Sequence, residues 1–389
     1  EKSEQDSMLN ELKALAKSNV SRRSVLAGAG AVGAGSLLAA CGGGGGSTAD
    51  VRWGNWTLYL DYDSDKKVYP TLEEFTAKTK TTVKYLEDYN DNDEFYGKVQ
   101  GQLKLKKDIG YDVICPTDWM AARYIRLGYA QKFDKANIPN SKNIIPSLAH
   151  VPYDTNRDYS LTWQGIMGGF TWNKEKLPKG IHTLDELFAP ANKGKIEVLT
   201  ELRDTVGIIM LAQGVDITKF TADQYHNALD FLQKKISDGF IRQVKGNDYK
   251  EDLISGDAVA VIGWSGDAFQ LAAENDGKFD FAIPESGGTI SADNFIIPST
   301  VTAETKPKVE KLINYYYDPA VAAKVAAYVN YICPVEGAQA EMEKIDPALA
   351  KSELIFPTAK TQSKLHVFRN LTPAEETEFT DAFQKATGN

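Results

Sequence analysis

Along residues 51–389, short apolar runs alternate with longer stretches in which apolar residues return every three or four positions. The runs Val51–Leu60, Thr82–Leu86, Tyr111–Cys115, Lys195–Leu199 and Val259–Trp264 read as strands. The stretches Leu72–Thr79, Phe95–Leu105, Ala121–Leu127, Val206–Gln213 and Ala222–Lys235 read as amphipathic helices. Such alternation predicts an α/β fold with largely parallel sheets. Asp185-Glu186-Leu187-Phe188 reads as a first helical turn, with its acids at the favoured N-terminal end. The last helix has a complete start signal: Thr372 to cap it, Pro373 in the first turn and Glu375 three residues after the cap. Phe379 and Phe383, four apart, would dock that helix. No internal repeat or long linker interrupts the body, as expected of two lobes that exchange chain segments.

The first forty residues have a different texture. Ser21-Arg22-Arg23-Ser24 precedes an uncharged run from Val25 to Ala40, and Leu38-Ala39-Ala40-Cys41 is followed by five glycines, Ser47 and Thr48. An arginine pair, a short apolar run and small residues before a cleavage point read as an export signal over 1–40, followed by a flexible tether over 41–50. The pattern resembles a twin-arginine lipoprotein signal with Val25 where Phe is usual, which makes Cys41 the lipidated first residue of the mature protein. Gly28-Ala29-Gly30-Ala31-Val32-Gly33 fits a dinucleotide fingerprint, but it lies inside this leader rather than between a strand and a helix, and is set aside.

Charge and composition narrow the chemistry. A net charge of −9 at 389 residues argues against nucleic acid and suits a partner that is a cation. Four scattered His, three Cys without a Cys-x-x-Cys pair and no phosphate loop leave no metal or cofactor to expect. Gly263-Trp264-Ser265-Gly266-Asp267 narrowly misses a nucleophile elbow, because Asp267 stands at the second glycine position; an exported hydrolase using Ser265 is therefore only an alternative. Cys115 and Cys333 are read as two separate buried thiols.

Aromatic and acidic residues cluster at the ends of the predicted strands. Trp56, Thr57 and Tyr59 close the first, Thr117 and Trp119 follow Cys115, and Glu201 and Asp204 follow Leu199. Trp264 and Asp267 follow the Val259–Gly263 run, Asp293 precedes Phe295–Pro298, and Tyr331 completes the set. Aromatic faces attract alkylammonium groups and cover methylene chains, while carboxylates fix the charged ends. A linear polyamine makes both demands at once.

From Trp53 to Gly388 the chain resembles the spermidine/putrescine-binding proteins of bacterial ABC importers. The resemblance rests on Asn55-Trp56-Thr57 with Tyr59, Tyr111-Asp112-Val113 with Pro116, Ile262 through Asp267, Gly287-Gly288 with Asp293, and Ile297-Pro298, in that order. It implies a two-lobed α/β periplasmic-binding-protein fold (type II) with ligand in the interlobe cleft. Residues 51–164 with 291–336 would form one lobe, and 165–290 with 337–389 the other. Trp56, Thr57, Tyr59, Thr117 and Trp119 would line one wall, Glu201 and Asp204 the facing one, and Trp264, Asp267, Asp293 and Tyr331 would complete an aromatic box with acidic ends. The resemblance further implies a monomeric, non-enzymatic protein, lipid-anchored through Cys41 at the outer face of the cytoplasmic membrane or periplasmic, that hands its ligand to a permease. Three positions depart from the family pattern. Leu58 stands where relatives carry an acid, Ser291 where they carry Trp or Phe, and Trp119 replaces a different side chain. Asp118 is the nearest substitute for the missing acid, and a different organic cation is the second reading of the same cleft.

Overall fold

The computed structural model describes residues 49–388; the leader, Cys41 and most of the tether lie outside them. β1 (Val51–Trp56), β2 (Val83–Tyr89) and β3 (Val113–Ile114) run parallel, with the helices Pro70–Thr79 and Asn92–Lys104 between them in sequence. β4 (Ser160–Asn173) follows. β5 (Ile196–Leu199), β6 (Ile241–Lys245) and β7 (Ala260–Trp264) then form a second parallel group. β8 (Phe279–Ala282) lies antiparallel along β4, and β9 (Gly288–Ile296) and β10 (Leu365–His366) complete the sheet, whose order is β2-β1-β3-β9-β4-β7-β5-β6.

The expected parallel pairing holds in the two outer groups and fails at the centre. β9 is antiparallel to both β3 and β4, and β4 is antiparallel to β7. The reason is connectivity: β4 carries the chain from one half of the sheet to the other and β9 brings it back. Every residue of β4 is buried, as in strands covered on both faces. The boundaries expected after residues 164 and 290 fall inside these two strands.

An aromatic cluster pins this junction. The Trp53 ring of β1 sits 5.0 Å from Tyr85 of β2, 5.1 Å from Trp163 of β4 and 5.6 Å from Phe295 of β9, centroid to centroid. These separations are typical of edge-to-face and tilted aromatic packing. The last helix, Pro373–Thr387, starts as its sequence predicts. Thr372 and Glu375 form a capping box, and Phe379 and Phe383 are buried, with Phe379 stacked 4.0 Å from Tyr225 of the helix Ala222–Ser237. β1 ends earlier than its apolar run, because Leu58 takes φ 59° and turns the chain. Leucine rarely adopts this left-handed backbone, and its presence beside the cleft is a local strain. Among the described residues, no helix is long and apolar enough to cross a membrane and no group of His, Cys, Asp and Glu is arranged to hold a metal. Cys115 and Cys333 are both free and buried.

Candidate functional site

The ends of β1, β5 and β7 and the middle of β9 converge between the two halves of the sheet. Trp56 is the last residue of β1, and its indole Nε1 donates to the Cys115 carbonyl at 2.9 Å. The turn at Leu58 then carries Thr57, which is exposed, and Tyr59, which is buried. That turn is tied at both ends, since the Leu58 amide donates to Glu87 at 2.8 Å and the Leu58 carbonyl accepts from Gln270 at 3.1 Å. Glu201 caps the helix Leu202–Ala212 by accepting from the Arg203 amide, so Asp204 is set in that helix's first turn. Trp264 ends β7, and Asp267 lies in the first turn of the helix Ser265–Glu274. Asp293 lies inside β9 rather than before a strand.

Ten of the eleven expected residues border one enclosed cleft: Trp56, Thr57, Tyr59 and Thr117 from one side, Glu201, Asp204, Trp264 and Asp267 from the other, with Asp293 and Tyr331 at the junction. Trp119 borders the adjoining cavity instead. Its indole donates to Glu201 at 2.8 Å, and its ring lies 3.9 Å from the Arg203 guanidinium and 4.9 Å from that of Arg123. Its face is therefore occupied by the protein's own cations. Asp118 does not supply the acid missing at Leu58. Its carboxylate accepts from Tyr153 at 2.5 Å, from Asn294 at 2.9 Å and from the Ala292 amide at 2.9 Å.

The cleft is closed. Its free volume is about 30 Å³, room for water and not for a diamine. The Trp56 and Trp264 rings meet edge-on at 6.3 Å, and Thr200 donates to Asp91 at 2.7 Å across the gap. Within it the carboxylates divide into two kinds. Asp267 is fully engaged, accepting from Tyr249 and Tyr331 at 2.9 Å each and pairing with Lys250 at 3.2 Å. Asp204 and Asp293 have only neutral donors. Asp204 accepts from Trp264 Nε1 at 2.8 Å and from the Thr289 hydroxyl at 2.5 Å, while Thr117 donates to Asp293 at 2.7 Å. Neither forms an ion pair among the described residues. Burial, which disfavours the charged form, pushes Asp293 up to about 8 and raises Asp204 despite its donors. The same cause pushes Glu201 up to about 7, against the pull of Arg203. The Tyr59 hydroxyl, close to Asp293, has no hydrogen bond of normal geometry.

Two glycines make the geometry possible. A Cβ on Gly168 of β4 would lie 2.1 Å from the Thr289 hydroxyl and 3.0 Å from Asp204, and one on Gly266 would lie 2.2 Å from the Tyr331 ring. Sequence reasoning missed Asp91, Asn92, Ile166 and Asn247 on the cleft wall, and Tyr249, Thr289 and Lys250 behind it. No local motif marks them. The hydrolase alternative has no geometry to support it: the Ser265 hydroxyl is buried without a hydrogen-bond partner, so no base activates it.

The family model for bacterial extracellular solute-binding proteins matches residues 71–356. Its members bind solutes and are not enzymes. The chain is 28% identical over 311 residues to the spermidine/putrescine-binding periplasmic protein of Escherichia coli (strain K12), covering 79% of this chain and 85% of that one. It is 24% identical over 349 residues to the putrescine-binding periplasmic protein PotF of the same organism, covering 85% and 89%. Among solved structures, the TpPotD lipoprotein of Treponema pallidum matches with a TM-score of 0.71 at 18% identity, over 87% of this chain and 99% of that one, a likeness of fold.

Proposed function

The chain belongs to the bacterial extracellular solute-binding protein family, and from that premise we propose that it captures polyamines of the putrescine and spermidine class for an ABC importer. One observation carries the reading. Asp204 and Asp293 are buried in an aromatic-walled cleft with neutral donors alone. A carboxylate held this way lacks a cation, and a protonated amine supplies one, while Trp56, Tyr59 and Trp264 cover the methylenes between amines. The names of the relatives agree with that chemistry. Residues 51–164 with 291–336 and residues 165–290 with 337–389 would act as two lobes joined through β4 and β9, closing on ligand and opening to release it to a permease. Cys41 would anchor the protein by lipid at the membrane's outer face, and the Gly-rich tether would let a monomeric body swing above it.

Calorimetric titration of putrescine and spermidine tests the reading, with an uncharged diol as control. Asp204→Asn and Asp293→Asn should each weaken binding by roughly ten- to hundred-fold, the worth of one charged hydrogen bond of about 1.5–3 kcal/mol. Retention of full affinity by both variants, or equal binding of the diol, would sink the assignment. A different organic cation is the second reading. Leu58 favours it, because the acid that relatives place there is missing and Asp118 does not replace it.

A further inference from the structure

Beyond the closed cleft lies a cavity of about 910 Å³, which Thr117, Glu201, Asp204 and Ser291 border in common with the cleft. Ser291 is the small residue at this junction, and it pairs with Ile166 of β4 across the sheet. The cavity wall is largely apolar, with Ile125, Leu148, Val151, Ile290, Ile332 and Phe368 among its lining. Apart from Asp204, its carboxylates and guanidiniums are already matched. Arg126 and Arg203 lie 2.7 and 3.8 Å from Glu376, and Arg369 pairs with Glu375 at 2.6 Å. Asp118 is saturated by Tyr153, Asn294 and Ala292. The wall therefore offers no unpaired carboxylate to a second ammonium and no unpaired guanidinium to an anion. What it offers is apolar surface next to Asp204.

We propose that this cavity is a second compartment of the ligand site, and that it holds an uncharged apolar or aromatic substituent on an amine whose ammonium sits at Asp204, the unpaired acid that borders both spaces. The proposal rests on the amine reading above and narrows it from linear polyamines to N-substituted ones. Space is ample, since about 150 Å³ suffices to bind benzene in a protein interior. The absence of a large side chain at position 291 then has a use: a Trp or Phe there would stand between the ammonium site and the cavity.

The test is calorimetry on the purified chain with N-benzylputrescine and putrescine, each also against Ser291→Trp and Ala122→Trp. Ala122 borders the cavity and not the cleft, so its Trp fills the compartment from the far side. The benzyl compound should bind roughly ten- to hundred-fold more tightly than putrescine, the gain expected for burying one aromatic ring. Both substitutions should remove that advantage. Equal or weaker binding of the benzyl compound overturns the proposal, as does an advantage that survives both substitutions. If neither amine binds, the ammonium site itself is wrong and the proposal falls with it, an outcome distinct from selective exclusion of the substituted amine.

Discussion

Asp293→Asn should make the ligand-free protein more stable, and increasingly so as pH rises. Asp293 is 2% exposed, and burial lifts it from 3.8 to about 8 in the closed cleft. Between these values the folded protein binds a proton that the unfolded chain does not. The contribution is present in full below about pH 4 and is lost as pH climbs through about 8. Between pH 5 and pH 8 that loss spans three pH units at about 1.4 kcal/mol each, or about 4 kcal/mol. This is a ceiling, because opening the cleft rehydrates the carboxyl without unfolding the chain. Asparagine stays neutral throughout and can still accept from the Thr117 hydroxyl, which now donates at 2.7 Å. Urea unfolding followed by tryptophan fluorescence, at pH 5 and pH 8 without ligand, reads the effect directly. The stability gap between Asp293→Asn and wild type should widen in favour of the variant from the lower to the higher pH. Glu201 is coupled to Asp293 through its charge, so the comparison reads the loss of Asp293 together with the relief it gives Glu201, and both act in the same direction. An unchanged gap would refute the reasoning, since it would mean that Asp293 is ionised and hydrated in the resting protein.

Three further outcomes follow from the same geometry. Putrescine binding at pH 7 should release protons, because an arriving ammonium restores the ionised forms of Asp293 and Glu201, raised to about 8 and about 7. Calorimetric heats in phosphate and Tris should then differ and affinity should improve from pH 6 to pH 8, and identical heats would count against it. Lys250→Met should free Asp267 for a ligand amine and tighten spermidine relative to putrescine by about tenfold, the scale of one charged hydrogen bond, as read by titration of both amines. Trp119→Phe keeps the stacked ring and removes the indole donor to Glu201, weakening closure by about 1 kcal/mol; the radius of gyration of the ligand-free protein, from small-angle scattering, should rise.

Elements with punctuated ends are legible in the amino-acid sequence alone. The capped start at Thr372 and the β-to-α junctions that hold Glu201 and Trp264 are local events, decided by residues within a few positions of each other. β4 and β9 were not readable in this way. β4 is a buried strand interrupted by Gly165, Gly168 and Gly169, and β9 places Asp293 in its interior, so neither shows the apolar run that marks a strand. The glycine and the acid are there for the site: Gly168 makes room for the Thr289–Asp204 hydrogen bond, which joins the start of β9 to the helix Leu202–Ala212.

The same distinction governs the charges. Sequence and resemblance identify which acids face the cleft, and not which of them is already paired. Lys250, 17 positions upstream of Asp267, neutralises it through folding alone. Asp118 is consumed by Tyr153 and Asn294, while Arg203 and Arg123 approach Trp119 from different parts of the chain. What remains for a ligand is the pair Asp204 and Asp293, with Glu201 partly held by Arg203 at 3.3 Å. A linear diamine needs one acid at each end, and that minimal set can meet the need. A triamine must displace Lys250 to use a further one. On the proposed function, preference between amines would therefore turn on a lysine behind the wall, and replacing the aromatic lining should move that preference less than Lys250→Met does.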